Sequence, residues 1–362
     1  SLKVFLPGTC RAAWTILLNQ FANGTNVISP QLAEELVLWI NGAWDKNNYL
    51  HRYLPVLEKG ASISYADLTA PMTLMMATLC KRSLTSDSEE GFQFQPGEVL
   101  ALGSSNCFTM AEAAISLNRV EKLLALSEQA AAMDIEAERS TPFIISKAAE
   151  DIAQWKEKRE VIARMRSFMK GSRVWFDQPS SIHPFVTLRA SPDILATARE
   201  ALNTAKKVIK DMANGHQGNP VVVGPWNSSI NSVEIGPVCS FDSTRLFIAY
   251  SNLQQAMSCL AVSIAQRANH LVNHNGQTCG QLFSRRLEIY VEASLREVLM
   301  AGQPIPAAVG RTNMAAGYDW AAPAAQAADQ LDRLVAGLKR LVGVHLVVSC
   351  AVVDHKLGEE AE

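Results

Sequence analysis

The segment Lys59–Leu68 reads KGASISYADL, and its residue types could support chemistry at the start of a helix. Small residues between Gly60 and Ala66 predict a tight turn, and the apolar run Leu68–Leu79 predicts the helix that follows it. A helix start directs backbone N–H groups and partial positive charge into the space ahead of it, which suits an electrophilic or anion-binding site. The same pattern also fits a simple helix cap.

Three further sets of residues could bind or react. Arg189 carries a guanidinium that can hold a carboxylate through two hydrogen bonds, but that can equally form a cap or an interhelical salt bridge. Glu292 has apolar neighbours on a predicted helix, where it is either a buried acid or base or a surface partner of Arg296. His270 and His274 have the i,i+4 spacing that can share a metal ion. No third ligand stands near them, so we predict a polar helix face and no metal site.

Composition restricts the class of protein. The 362 residues are 48% hydrophobic and 19% charged, which is typical of a folded chain with a large core. A formal net charge of −2 provides no field that would attract nucleic acid or an anionic membrane, so we expect neither partner. The seven cysteines are scattered singly without a CxxC pair, as in reduced cytosolic proteins. No stretch approaches the length needed to span a bilayer, and we expect a cytoplasmic location.

Helical periodicity over most of the chain predicts the elements that position these residues. Helices are predicted at Ala12–Asn23, Pro30–Asn41, Ala66–Arg82, Met110–Met133, Ile145–Met169, Pro192–Asn214, Phe241–Asn273, Gly280–Met300 and Ala322–Leu341. Ser191 is predicted to cap the helix that starts at Pro192. Val221–Val223 is predicted as a short strand, and Val344–Val353 fits either a strand or a buried helix. We therefore predict one mostly α-helical domain.

Four other segments stand in order around the loop KGASISYADLTAP. They read GTNVISP from Gly24, GEVLALGSSNCF from Gly97, TLRASP from Thr187 and GNPVV from Gly218. Together these segments resemble the histidine and aromatic amino-acid ammonia-lyase and aminomutase family over most of the chain. The resemblance implies an all-α fold, a long-helix bundle of the ammonia-lyase (fumarase/aspartase-like) type with little β structure, in a single domain over residues 1–362. The family's amino-terminal segment, which carries a catalytic tyrosine, is expected to have no counterpart here.

The resemblance also implies roles for single residues. In the family an Ala-Ser-Gly triad cyclises and dehydrates into the methylideneimidazolone prosthetic group, and here Ser64-Tyr65-Ala66 stands in its place. Ser104 stands at the family's catalytic asparagine and Arg189 at its arginine for the substrate carboxylate. Val186 replaces the family's tyrosine. Other family positions also differ, at Ser29, near Phe241-Asp242-Ser243 and near Arg311-Thr312, whereas Glu292 falls at or near the glutamate that handles the substrate amine.

Tyr65 decides which chemistry is expected. Its side chain has no β-hydroxyl to eliminate, and Ala66 puts a methyl group where the family uses glycine. We therefore expect no methylideneimidazolone and no other cofactor. A fluorescent-protein-like cyclisation also requires a glycine at the third position, so Tyr65 is interpreted as an aromatic wall or phenol donor in the cavity.

Three hypotheses of function follow. The favoured one is an enzyme without the prosthetic group that cyclises, eliminates or isomerises a small carboxylated, amino-acid-derived biosynthetic intermediate. Its catalytic residues would be Tyr65, Ser104 and Glu292, and its substrate-binding residues would be Arg189, Ser64, Asn106 and Asn219. The alternatives are a non-catalytic scaffold or partner subunit, and a true aromatic amino-acid ammonia lyase or aminomutase. A homo-oligomer, a tetramer by family resemblance, is expected in each case.

Overall fold

The computed structural model describes residues 7–23, 26–42, 92–227, 232–274, 281–307 and 322–359. Most of these residues are helical, which confirms the predicted fold class. The α-helices are α1 (Pro7–Ala22), α2 (Pro30–Gly42), α3 (Glu98–Gly103), α4 (Cys107–Ala137), α5 (Lys147–Asp151), α6 (Lys156–Phe168), α7 (Val186–Arg189), α8 (Ser191–Ala213), α9 (Thr244–His274), α10 (Gln281–Ala301) and α11 (Ala324–Glu359). Two 3₁₀ turns, Pro142–Ile145 and Arg173–Trp175, lie on either side of α6. The predicted helix Ala66–Arg82 lies outside the described residues.

A two-stranded antiparallel ribbon is the β structure of the described residues. Strand β1 (Val221–Asn227) pairs with β2 (Ser232–Gly236), with Val221 opposite Gly236. The first strand was predicted from its valines. The second is too short and too polar to be distinguished from a loop by its pattern.

Two helix predictions need correction, and one segment that the sequence left open as strand or helix is decided. Ile145–Met169 is two helices, because the chain breaks after α5 and the freed carbonyl of Ala153 accepts a hydrogen bond from Arg159 Nη1 at 2.9 Å. Ser191 does not cap α8, since its hydroxyl donates to the Leu188 carbonyl at 2.8 Å. Val344–Val353 is helical and lies inside α11.

Helix α11 also corrects the expectation about membrane-spanning length. By length and composition alone, Ala324–Lys356 is apolar enough to cross a bilayer. Half of its most apolar window is buried inside the protein, as in a core helix, so its apolarity has a packing explanation.

The described residues fall into two compact units. The first comprises Ser1–Ile115, Lys206–Tyr250 and Ile305–Asp329. Its core is formed by one face each of α1 and α2 and by the start of α4, and Trp14 meets Phe108 edge to face with 5.0 Å between ring centroids. The prediction of a single domain stays a prediction.

The second unit comprises Ser116–Ala205, Ser251–Pro304 and Gln330–Glu362. A cluster of four fully buried polar side chains lies in its interior, contributed by α4, α9 and α11. Asp134 accepts hydrogen bonds from Arg267 Nη1 at 2.8 Å and from Ser349 Oγ at 2.7 Å, and it lies 2.9 Å from His345 Nε2. His345 and Ser349 are one turn apart, so this cluster explains why the apolar run in α11 is a helix.

A second buried carboxylate in this unit is also fully paired. Glu128 on α4 accepts hydrogen bonds from Arg164 Nε at 2.8 Å and Nη2 at 3.0 Å, and from Arg199 Nε at 2.8 Å. These bonds join α4 to α6 and α8. Both buried carboxylates therefore act in packing the helices.

Candidate functional site

Three consecutive polar residues are buried between α3 and α4. Ser104, Ser105 and Asn106 are each 3% exposed or less. The Ser104 N–H closes α3 on the Leu100 carbonyl at 2.9 Å, and the Asn106 carbonyl begins α4 by accepting from the Met110 N–H at 2.9 Å. The backbone polar groups at this junction are thus used by the two helix ends, and the side chains are available for other contacts.

Those side chains contact the segment Gln217–Asn219 and its surroundings. Ser104 Oγ donates to the Asn219 carbonyl at 3.3 Å, and the Asn106 N–H donates to Gln217 Oε1 at 3.4 Å. The side-chain amide of Asn106 donates to the Phe241 carbonyl. The structure thus brings together three of the predicted site residues, Ser104, Asn106 and Asn219, in one cluster.

The segment Gly218–Asn219 is itself held from both sides. Ser240 Oγ donates to the Gly218 carbonyl at 2.9 Å, and Asn219 Oδ1 accepts from the Val238 N–H at 3.3 Å. The peptide bond between Asn219 and Pro220 is cis. These bonds fix the backbone that faces Ser104.

Asn26 contributes a buried amide that the sequence did not single out. It is 8% exposed, forms an isolated β-bridge with Val221 and packs against Gly218, where an added Cβ would overlap its side-chain oxygen. Among the described residues, neither Oδ1 nor Nδ2 of Asn26 has a hydrogen-bond partner. A buried amide without partners carries a desolvation cost, which a bound polar group would remove. The only signal for it was its position in GTNVISP.

The cluster is neutral. We refer to Asn26, Ser104, Ser105, Asn106, Gln217 and Asn219 as the amide cluster. These side chains are hydroxyls and carboxamides, which donate and accept hydrogen bonds but do not titrate near neutral pH. Glu98, which is also buried, is occupied in holding the loop, since its carboxylate accepts from the N–H groups of Ser29 at 2.7 Å and Gln95 at 2.6 Å. The amide cluster can orient a carbonyl or carboxylate but carries no charge of its own.

Arg189 belongs to the second unit. It ends the one-turn helix α7 and is exposed. The described part of the chain contains no hydrogen bond or ion pair to its guanidinium, so the interhelical salt bridge considered from the sequence is not observed there. The side chain is available to bind an anion.

Glu292 also belongs to the second unit. It is half-buried on α10, and its Oε1 accepts a hydrogen bond from Asn269 Nδ2 at 3.3 Å. Within the described ranges it forms no ion pair with Arg296, so the surface pair considered from the sequence is absent there. Its contact with α9 orients the carboxylate.

Ser64 and Tyr65 lie outside the described residues. Of the residues that are described, no group of three or more His, Cys, Asp or Glu side chains is arranged to hold a metal ion.

Residues 2–362 match the family model for aromatic amino acid lyases. The chain belongs to this family. A search of curated proteins gives no match. The resemblance read from the sequence is therefore confirmed at the level of family.

Solved structures of this lyase family and its relatives share the fold. Histidine ammonia-lyase from Trypanosoma cruzi superposes with a TM-score of 0.76 at 17% identity, over 97% of this chain and 69% of that one. Ergothionase from Treponema denticola gives 0.81 at 15% identity, over 98% and 73%. Tyrosine aminomutase from Streptomyces globisporus gives 0.77 at 18% identity, over 98% and 72%. At these identities the likeness supports the fold and leaves the reaction open.

Proposed function

We propose that this lyase-family chain is an enzyme that works without a methylideneimidazolone group. Its substrate would be a small carboxylated, amino-acid-derived biosynthetic intermediate, which it would cyclise, eliminate or isomerise. The observation that carries the proposal is the amide cluster, in which Ser104, Asn106 and Asn219 are buried together beside the unpartnered amide of Asn26. Such a cluster suits recognition of a carbonyl or carboxylate.

The residues present do not fit the prosthetic group of the family. Tyr65 has no β-hydroxyl to lose, and Ala66 crowds the nitrogen that would have to attack. Ser104, at the position of the family's asparagine, directs its hydroxyl to the Asn219 carbonyl. We therefore assign no step to that group.

Charge would come from residues outside the amide cluster, and proton transfer would involve Ser104 together with residues outside the cluster. Arg189 would bind the substrate carboxylate through its exposed guanidinium. Tyr65, Ser104 and Glu292 would donate or accept protons, and Ser64 would contact the substrate beside Tyr65. The location would be cytoplasmic, as its scattered free cysteines suggest.

Intact mass measurement and an ammonia assay test the proposal. An unmodified polypeptide mass and no ammonia from histidine, phenylalanine or tyrosine are expected. A mass lower by water within residues 64–66, or ammonia release, would overturn the proposal in favour of a true lyase or aminomutase. Ser104→Ala should weaken binding of small carboxylates measured by calorimetry, whereas Ser167→Ala on α6 should not.

Assembly into a homo-oligomer is a second part of the proposal. Helix α10 presents large apolar side chains to solvent, with Ile289 70% exposed, Tyr290 45% and Met300 76%. Exposed apolar side chains on one helix are typical of a surface that another chain covers. Light scattering after chromatography should give a multiple of the chain mass, and Ile289→Lys should lower it. If no small carboxylate binds, this exposed apolar surface on α10 favours the alternative function, a non-catalytic scaffold or partner subunit.

A further inference from the structure

Three aromatic rings are in contact in the second unit. The rings of Phe185 and His270 are stacked with 3.8 Å between centroids and 28° between planes. His274, one turn further along α9, follows with 4.4 Å between its centroid and that of His270. His270 therefore contacts two rings, which restrict its rotation.

The carboxylate of Glu138 lies at the edge of the same imidazole. His270 Nε2 lies 3.5 Å from Glu138 Oε2, and the two side chains are 25% and 17% exposed. The other carboxylate oxygen of Glu138 is buried and has no hydrogen-bond partner in the part of the chain that the structure describes. A carboxylate facing Nε2 favours the tautomer protonated there, which leaves the Nδ1 lone pair free to take a proton.

Backbone hydrogen bonds fix Phe185 and Glu138 relative to each other. The Ser180 N–H donates to the Arg139 carbonyl at 2.9 Å, and the Thr141 N–H donates to the Ser181 carbonyl at 3.1 Å. Ser180 Oγ also donates to the Glu138 carbonyl at 2.6 Å. The segment that leads into α7 is thus tied to the end of α4.

Arg189 lies one turn beyond Phe185. Its N–H donates to the Phe185 carbonyl at 3.1 Å, and helical side chains lean toward the preceding turn. Residues four apart on a helix have Cβ atoms about 5–6 Å apart, so the guanidinium can reach within about 10 Å of His270. A small carboxylate can span that distance. Val186, on the same helical turn, is 65% exposed and offers apolar contact.

We propose that Arg189, His270 and Glu138 form a site for a small carboxylate with an apolar body, in which His270 accepts a proton from the bound molecule. Arg189 would bind the carboxylate. The proton would pass to Nδ1 of His270, the electron pair of the broken bond would stay on the donor atom, and Glu138 would stabilise the imidazolium. A separation of 3.5 Å is long for a hydrogen bond, as is common before a ligand tightens a site. The inference rests on the proposed function in using Arg189 as the carboxylate anchor.

Carbethoxylation of histidines, followed by peptide mass mapping with 3-phenylpropanoate as the probe, tests the site. The probe should slow modification of His270 by the factor 1 + [L]/Kd, which is about tenfold at ten times Kd. His216, in the first unit, is the internal reference and should be unaffected. Arg189→Ala should abolish the protection, whereas Lys147→Ala should keep it. No protection in the unchanged protein, or full protection in Arg189→Ala, would overturn the site.

The positioning role of Glu138 is tested by a measurement that a change in packing alone would not alter. At about pH 8, Glu138→Gln should slow carbethoxylation of His270 several-fold without the probe, because the ring loses its carboxylate partner. An unchanged rate would overturn the positioning role. Glu138→Asp, which keeps the charge, is the second variant if the glutamine variant fails to fold. If the probe does not protect His270 and the chain has its unmodified mass, this inference alone is rejected. If the intact mass shows that the chain has lost water within residues 64–66, the proposed function alone is rejected.

Discussion

Replacing Asp134 by asparagine should cost about 3–5 kcal/mol of unfolding free energy. The carboxylate is fully buried and accepts hydrogen bonds from Arg267 and Ser349 while contacting His345. An asparagine keeps the volume but leaves Arg267 as an uncompensated charge in the interior. The matched control is Asp151→Asn, since Asp151 is exposed and pairs with Lys147 at the surface, where such pairs contribute about 1 kcal/mol or less.

A double-mutant cycle separates the charge pair from the loss of packing. Arg267→Met alone should cost about as much as Asp134→Leu alone, because each leaves one buried charge without its partner. The double variant should cost about 2–3 kcal/mol less than the sum, since no charge remains. Urea unfolding followed by far-ultraviolet circular dichroism measures all four proteins. Additive losses, or a loss below about 1 kcal/mol for Asp134→Asn, would refute the reasoning.

The same cluster makes stability depend on pH. Burial raises the pKa of Asp134, but the charges of His345 and Arg267 and the hydrogen bonds to it bring the pKa below its ordinary value. Burial lowers the pKa of His345, although Asp134 opposes this. With both values depressed, the unfolded chain binds more protons, so stability is lost on acidification. The loss from His345 begins below about pH 6.5 with a slope of up to about 1.4 kcal/mol per pH unit. His345→Gln should flatten this part of the profile.

Three other changes have outcomes set by local contacts. Glu128→Gln should lower unfolding free energy by about 3 kcal/mol in urea titrations, because two arginines lose their buried carboxylate. Gly218→Ala should lower the calorimetric melting temperature by an amount equivalent to about 1–3 kcal/mol, since the new methyl group would overlap Asn26. Burial raises the pKa of Cys10 to about 12, so iodoacetamide at about pH 8 should leave it unmodified while exposed Cys350 reacts.

The helices could be predicted because their apolar periodicity is local. The ends of α9 and α10 differ from the predicted ones by three residues or fewer. The conformation of Val344–Val353 could not be predicted from the local sequence. In the helix, His345 and Ser349 both contact Asp134, which lies 211 residues away from His345 in the chain. Periodicity carries no information about such contacts.

The candidate site was predictable only where a motif marked it. Ser104 and Asn219 were found through the family resemblance, and the structure joins them by a hydrogen bond across 115 residues. Asn26 and Gln217 were missed because a single buried amide has no pattern in sequence. His270 was interpreted as part of a polar helix face. Its contact with Phe185 could not be predicted, because that contact depends on a turn that periodicity does not specify.

The two units bury polar groups in different ways, and the difference bears on function. In the second unit the buried carboxylates of Asp134 and Glu128 are matched by arginines, so their charges are already neutralised and serve packing. The amide cluster of the first unit has no charge to neutralise and keeps an unpartnered amide at Asn26. A neutral, partly unsatisfied cluster gains most from a ligand that brings its own carbonyl or carboxylate.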